Sequence, residues 1–212
     1  MTRKLGRPTG AASAPDRKTS KTASAALPLI EGEPFTVEHF ERWCEAYLVQ
    51  YVDQWAGLPL KWEPWQLEFF ASIFERDEDG RARWRSVALC VPRKNGKTTM
   101  LAAYALYRLF NDETQPEILL AAASDKQAGR LFDTCVQFIR RSPLLSDGVA
   151  LREYVGEISR VDTPGKILRM ASDPSTLHGY NPSLVICDEL HAWTKPGHRK
   201  AWAALTTGGG VK

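Results

Sequence analysis

Ser86-Val87-Ala88-Leu89-Cys90-Val91 runs straight into Pro92-Arg93-Lys94-Asn95-Gly96-Lys97-Thr98-Thr99, and a stretch rich in Ala, Leu and Tyr continues to about Phe110. No other part of the chain limits the fold as strongly. A short apolar run of this kind belongs in a buried parallel strand. A strand–loop–helix turn aims successive backbone N–H groups and the helix N-terminus at one point, which suits a phosphate. Gly96 lets the backbone approach closely, Lys97 has the reach for the β- and γ-phosphates, and the Thr98 hydroxyl can ligate Mg²⁺. The common form of the motif has a Gly where this chain has Val91. By itself Gly96-Lys97-Thr98 is therefore a weak signal, one that an ordinary helix start would also produce.

A second signal lies about ninety residues downstream, where Leu184-Val185-Ile186-Cys187 ends at Asp188-Glu189. An apolar strand closed by two carboxylates is what an ATPase needs beside its phosphate loop. Asp188 would hold the Mg²⁺ shell, and Glu189 would orient and deprotonate the attacking water. Alone, such a pair is often a solvated turn. Together, in this order and on these elements, the two signals reinforce one another.

The flanking sequence fits an α/β domain with a mainly parallel sheet and helices on both faces. Phe40, Trp43, Cys44, Tyr47, Leu48 and Tyr51 recur at helical spacing. After the break at Ala56-Gly57-Leu58-Pro59, a second helix is expected to open at Pro64 and run through Trp65, Leu67, Phe69, Phe70 and Ile73. Asp77-Glu78-Asp79-Gly80 reads as a turn. Further strands are expected at Ile118-Leu119-Leu120-Ala121-Ala122-Ala123 and at Lys166-Ile167-Leu168-Arg169-Met170, with a helix from near Asp125 to near Arg141.

Composition narrows the class without naming a function. The 212 residues (23.7 kDa), 43% hydrophobic and 25% charged, suffice for one domain with a real core. No apolar stretch approaches the 18 or so residues of a membrane-spanning helix, and the N-terminus lacks an apolar signal core. The net charge of +3 is uneven. Residues 1–27 hold six basic groups and one acid, whereas the remainder holds 22 basic and 24 acidic residues. That leader, rich in Ala, Ser, Thr, Lys and Arg, reads as disordered. It suits contact with a polyanion, and equally a solvated tail. Cys44, Cys90, Cys135 and Cys187 are widely spaced, without zinc-ligand spacing, which fits a reducing compartment. Cys90 and Cys187 are expected to be small buried hydrophobes inside strands.

Several motifs together resemble those of phage terminase large subunits of the HK97-like family. Val91-Pro92-Arg93-Lys94-Asn95-Gly96-Lys97-Thr98 resembles that family's variant Walker A, which also accounts for Val91. His178-Gly179-Tyr180-Asn181-Pro182-Ser183 leading into Cys187-Asp188-Glu189-Leu190-His191-Ala192-Trp193 resembles its Walker B region. Ala122-Ala123-Ser124-Asp125-Lys126-Gln127-Ala128 resembles its segment after the second strand, and Thr206-Thr207-Gly208 its coupling motif. The likeness covers roughly residues 36–210.

The resemblance implies a RecA/ASCE-like P-loop NTPase spanning residues 28–212. It implies an ATP- and Mg²⁺-dependent motor that drives double-stranded DNA into a procapsid. Arg93 would contact the γ-phosphate, with a surface loop residue as the alternative. Lys94, Asn95, Gly96, Lys97, Thr98 and Thr99 would cradle the nucleotide, with Thr98 and Asp188 on the metal and Glu189 as base. Gln66 would read the adenine edge beside Trp65, whose pattern by itself indicates a core residue. Thr206, Thr207 and Gly208 would pass loss of the γ-phosphate to the DNA-gripping parts. Implied partners are double-stranded DNA, portal protein, the small terminase subunit and further copies in a ring, in the host cytoplasm. His178 and His191 read as structural imidazoles. Lys126, Arg130, Arg140 and Arg141 share one helix, either as a solvated face or as a DNA contact. Ending at Gly208-Gly209-Gly210-Val211-Lys212, the chain is expected to form a C-terminally truncated sheet and to lack a nuclease domain. A helicase-like DNA-dependent ATPase and a catalytically silent nucleotide-binding fragment are the alternative readings.

Overall fold

A computed structural model describes residues 30–171 and 180–207. The expected leader, His178, Gly179 and Gly208 lie outside the described residues. The elements run α1 (Val37–Tyr47), α2 (Pro64–Phe74), α3 (Lys97–Asn111), β1 (Glu117–Ala122), α4 (Asp125–Arg141), α5 (Pro143–Asp147), β2 (Val149–Arg152), β3 (Glu157–Arg160), β4 (Lys166–Ala171), β5 (Leu184–Asp188) and α6 (Pro196–Thr207).

Local chemistry sets the helix starts. Thr36 caps α1 by accepting from the His39 N–H, and Ser124 caps α4 by accepting from the Gln127 N–H. At α2, Pro64 occupies the first turn, and the Glu63 N–H donates to Gln66 Oε1 at 2.9 Å in a capping box.

The sheet has the order β2-β3-β4-β1-β5. β1 pairs in parallel with β4 and with β5, whereas β2-β3 and β3-β4 are antiparallel. The parallel half is the expected one. The β2-β3 hairpin escapes the sequence reading because Val149-Ala150-Leu151-Arg152 and Glu157-Ile158-Ser159-Arg160 are four residues each with one buried position apiece.

Residues 86–91 do not form the expected buried strand. They carry no strand assignment, Val87 is 42% exposed, and the Cys90 thiol is exposed rather than buried. A strand needs a ladder partner for its N–H and C=O groups. Among the described residues β5 is the edge strand, and residues 86–91 do not pair with its free side. Leu89 still packs partly against the core.

β1 is buried on both faces, and its alternate residues feed two cores. Ile118 and Leu120 join Phe132, Phe138 and Ile139 of α4, Met100 and Leu106 of α3, and an aromatic cluster from α1 and α2. In that cluster the Phe40 and Phe70 rings lie 4.3 Å apart, and Tyr107 Oη meets both the Phe35 N–H and His39 Nδ1. On the other face Leu119, Ala121 and Met170 pack against Ala201 and Leu205 of α6. Helices therefore cover both faces of the sheet. The carboxyl ends of β1 and β5, where Ala122 pairs with Asp188, are left facing the start of α3.

Candidate active site

The loop before α3 is shaped by two residues in the left-handed region, Lys94 (φ 67°) and Gly96 (φ 72°). The second suits glycine and the first does not, so the loop stores strain, a feature that concentrates at functional sites. Asn95 braces the turn by donating its side-chain amide to the carbonyls of Pro92 (3.2 Å) and Arg93 (3.3 Å). Lys97 Nζ folds back over the loop and donates to the Val91 and Pro92 carbonyls, both at 2.9 Å. Its ammonium is thus held inside the curve of the loop instead of in open solvent. Thr98 and Thr99, half-buried, occupy the first turn of α3, and Arg93 and Lys94 are exposed.

Asp188 closes β5 from the other side and is buried, with Oδ1 accepting from the Glu189 N–H at 2.8 Å. Burial pushes its carboxyl upward. The Glu189 carboxylate adds to that push, while the Glu189 N–H and the Lys97 and Arg130 cations pull the other way. A buried carboxylate balanced between a lysine and a second carboxylate is a suitable cation ligand. These residues fit a magnesium–nucleotide group: hard oxygen donors at Asp188 and Thr98, a cation at Lys97, and the N-terminus of α3 between them.

Glu189 is itself in the left-handed region (φ 52°) and pairs with His191 Nδ1 at 3.1 Å. The strained corner turns the chain out of β5, and Trp193 steadies it by donating its indole N–H to the Asp188 carbonyl at 3.3 Å.

Residues 64–202 match the family model for the terminase large subunit ATPase domain. The chain belongs to the terminase large subunit family. A terminase large subunit of Enterobacteria phage HK97 is 27% identical over 135 residues, covering 63% of this chain and 26% of that protein. The crystal structure of the HK97 bacteriophage large terminase superposes with a TM-score of 0.67 at 22% identity, over 79% of this chain and 34% of that one. That likeness establishes the fold, a P-loop NTPase α/β domain. The terminase chain described here spans about a quarter of the curated relative and about a third of the solved one.

Within this terminase domain the sequence-derived residues divide into two groups. Arg93, Lys94, Asn95 and Gly96 form the loop and Lys97, Thr98 and Thr99 the first turn of α3, which contacts β5, the strand ending in Asp188. Trp65, half-buried, packs against the main core. Gln66 has both ends of its amide engaged within the chain, Oε1 by the Glu63 N–H and Nε2 with the Asn95 carbonyl at 3.5 Å. The backbone of Thr206 and Thr207 ends α6, on the far face of the sheet from α3 and α4. On α4, Arg140 pairs with Glu153, and Arg141 bonds Gln137 and lies over the Tyr51 ring, so neither is a free cation. Arg130 is exposed and acts on Asp188. The sequence placed Arg130 on α4 without linking it to Asp188, because nothing in its spacing reports that α4 and β5 come into contact.

Proposed function

We propose that this terminase ATPase domain is the motor that hydrolyses ATP to drive double-stranded DNA into a procapsid. The observation that supports it best is the strained loop at Lys94 and Gly96 opening α3, which contacts β5, the strand that ends in Asp188 with Glu189 next in the chain. In this reading Arg93, Lys94, Asn95, Gly96, Lys97, Thr98 and Thr99 surround the phosphates, and Thr98 and Asp188 hold Mg²⁺. The bound magnesium–nucleotide supplies the phosphoanhydride and the charge that polarises it. Lys97 would leave the Val91 and Pro92 carbonyls for phosphate oxygens, a favourable exchange of neutral acceptors for charged ones.

Glu189 takes the proton of the attacking water, and His191 orients its carboxylate. Gln66, beneath the loop, braces Asn95, with Trp65 anchoring α2 to the core. Thr206, Thr207 and Gly208 relay the state of the γ-phosphate along α6. Portal protein, the small terminase subunit and further copies in a ring are the partners of the whole protein, which acts in the host cytoplasm at the portal vertex.

Turnover by the full-length protein with ATP and Mg²⁺ tests the reading. Lys97→Ala should abolish hydrolysis and weaken nucleotide binding. Glu189→Gln should keep binding and lose roughly 10²–10⁴-fold in kcat, the usual worth of a positioned base. Equal turnover in the Glu189→Gln protein would remove the assigned base, and nucleotide binding without turnover in the wild type would favour the silent fragment.

A further inference from the structure

Residues 190–207 contain Lys195, Arg199 and Lys200 and no Asp or Glu. All three cations are exposed, and among the described residues none makes an ion pair. Arg140, Arg152, Arg160 and Arg169, by contrast, are each paired with a carboxylate. The acids nearest in sequence are already committed: Asp188 is buried, and Glu189 is paired with His191. Arg199 lines an open cleft of about 280 Å³ together with Leu190, Trp193, His198 and Trp202. Leu190 is 45% and Trp202 42% exposed, so the cleft presents apolar surface to solvent next to unpaired positive charge. Low-dielectric walls beside charges of one sign concentrate the field and attract a polyanion.

The cleft is tied to the site through a short path. Trp193 forms its inner wall, edge-on to Trp202 with ring centroids 6.4 Å apart, and the same indole donates to the Asp188 carbonyl. Trp193 thus touches both α6 and the corner that holds Glu189.

We propose that Lys195, just before α6, and Arg199 and Lys200 in its first turns grip the phosphate backbone of duplex DNA. The assignment rests on the reading that the protein works on duplex DNA. Charge complementarity supports it: three cations without ion pairs within six residues, one of them lining an apolar cleft, suit a row of phosphates, and Arg and Lys supply the contacts that position a duplex without reading its sequence.

The test is binding of the full-length protein to a labelled duplex by fluorescence anisotropy across a salt series. The triple variant Lys195→Gln, Arg199→Gln, Lys200→Gln should flatten the plot of log affinity against log salt by up to about 3, since each lost phosphate contact removes roughly 0.9. Its thermal midpoint and DNA-free ATP turnover should match the wild type. The charge-keeping variant Lys195→Arg, Arg199→Lys, Lys200→Arg should restore the slope. If the wild type binds duplex and the neutralised variant keeps its slope and affinity, the α6 surface is wrong while the DNA reading stands. If the wild type fails to bind duplex at low salt, both fall. Displacement of the duplex by polyglutamate at equal charge concentration would assign the face to an acidic protein and overturn the DNA assignment.

Discussion

Gln66 Nε2 stands 3.5 Å from the Asn95 carbonyl, joining the first turn of α2 to the loop that curves around Lys97. The same side chain accepts from the Glu63 N–H, so one amide both starts a helix and supports the loop. Replacing it tests the two tasks separately. Gln66→Ala removes both, and should lower stability by about 1 kcal/mol, the usual worth of a cap, and raise the nucleotide KM. Gln66→Glu keeps the acceptor that a capping box requires but loses the N–H that meets Asn95. It should melt near the wild-type temperature and still bind nucleotide more weakly. Wild-type nucleotide affinity in Gln66→Glu would show that the loop does not depend on this contact.

Gly96 adopts φ 72°, and a Cβ there would sit 3.2 Å from Gln66 Nε2. Gly96→Ala therefore combines backbone strain of about 1–2 kcal/mol with displacement of the Gln66 prop. The expected result is a lower unfolding free energy in a urea titration together with loss of nucleotide binding. Combining Gly96→Ala with Gln66→Ala should relieve the crowding but not the backbone strain, so the stability losses should be less than additive.

Asp112, at the end of α3, receives Arg108 Nη2 at 2.5 Å and both the N–H and the hydroxyl of Thr114. Burial favours its neutral form, but these partners outweigh burial and hold the carboxyl below its ordinary value. A depressed carboxylate stabilises the fold above its unfolded pKa, and that contribution disappears as pH falls through the folded value. Asp112→Asn leaves Arg108 largely buried without its counter-ion, and should cost on the order of 3 kcal/mol at neutral pH. The gap between the two proteins should narrow as pH drops through the acidic aspartate range. A gap that stays constant down to strongly acid pH would remove the charge as its cause.

Among the cysteines, Cys90 is exposed on the unpaired run before the loop, whereas Cys44 and Cys135 are buried. Burial drives both of those thiols far from ionisation and pushes Cys187 up to about 12. Because the thiolate is the reactive species, a maleimide should modify Cys90 of the native chain first, with Cys44 and Cys135 reacting only on unfolding. Peptide mapping after brief labelling checks the order. Protection of Cys90 in a longer form of the protein would mean that another segment covers residues 86–91.

Much of the fold was legible from periodicity. The α1 stripe, the Pro64 start of α2, the start of α4 near Asp125 and the three parallel strands all follow from local pattern, because each element's residues announce which side they bury. The β2-β3 hairpin was not legible, since four-residue strands with one buried position each carry too little alternation to register. The site was legible as residue types, because Gly96-Lys97-Thr98 and Asp188-Glu189 are rare combinations on the right elements. Their mutual arrangement was not.

By itself the sequence determined the alternation of strands and helices, the loop that needs a glycine at position 96, and the pair of carboxylates that ends β5. Those properties are set within a few residues of chain, by steric limits on φ and by the period of apolar side chains. Tertiary structure alone decided that the apolar run at residues 86–91 stays outside the sheet, unpaired with the free side of β5. It also decided that Gln66 turns inward to Asn95, that Arg130 acts on Asp188, and that Lys195, Arg199 and Lys200 remain without counter-ions. Each of these depends on which side chains from distant parts of the chain arrive at the same place, and spacing along the chain does not record that.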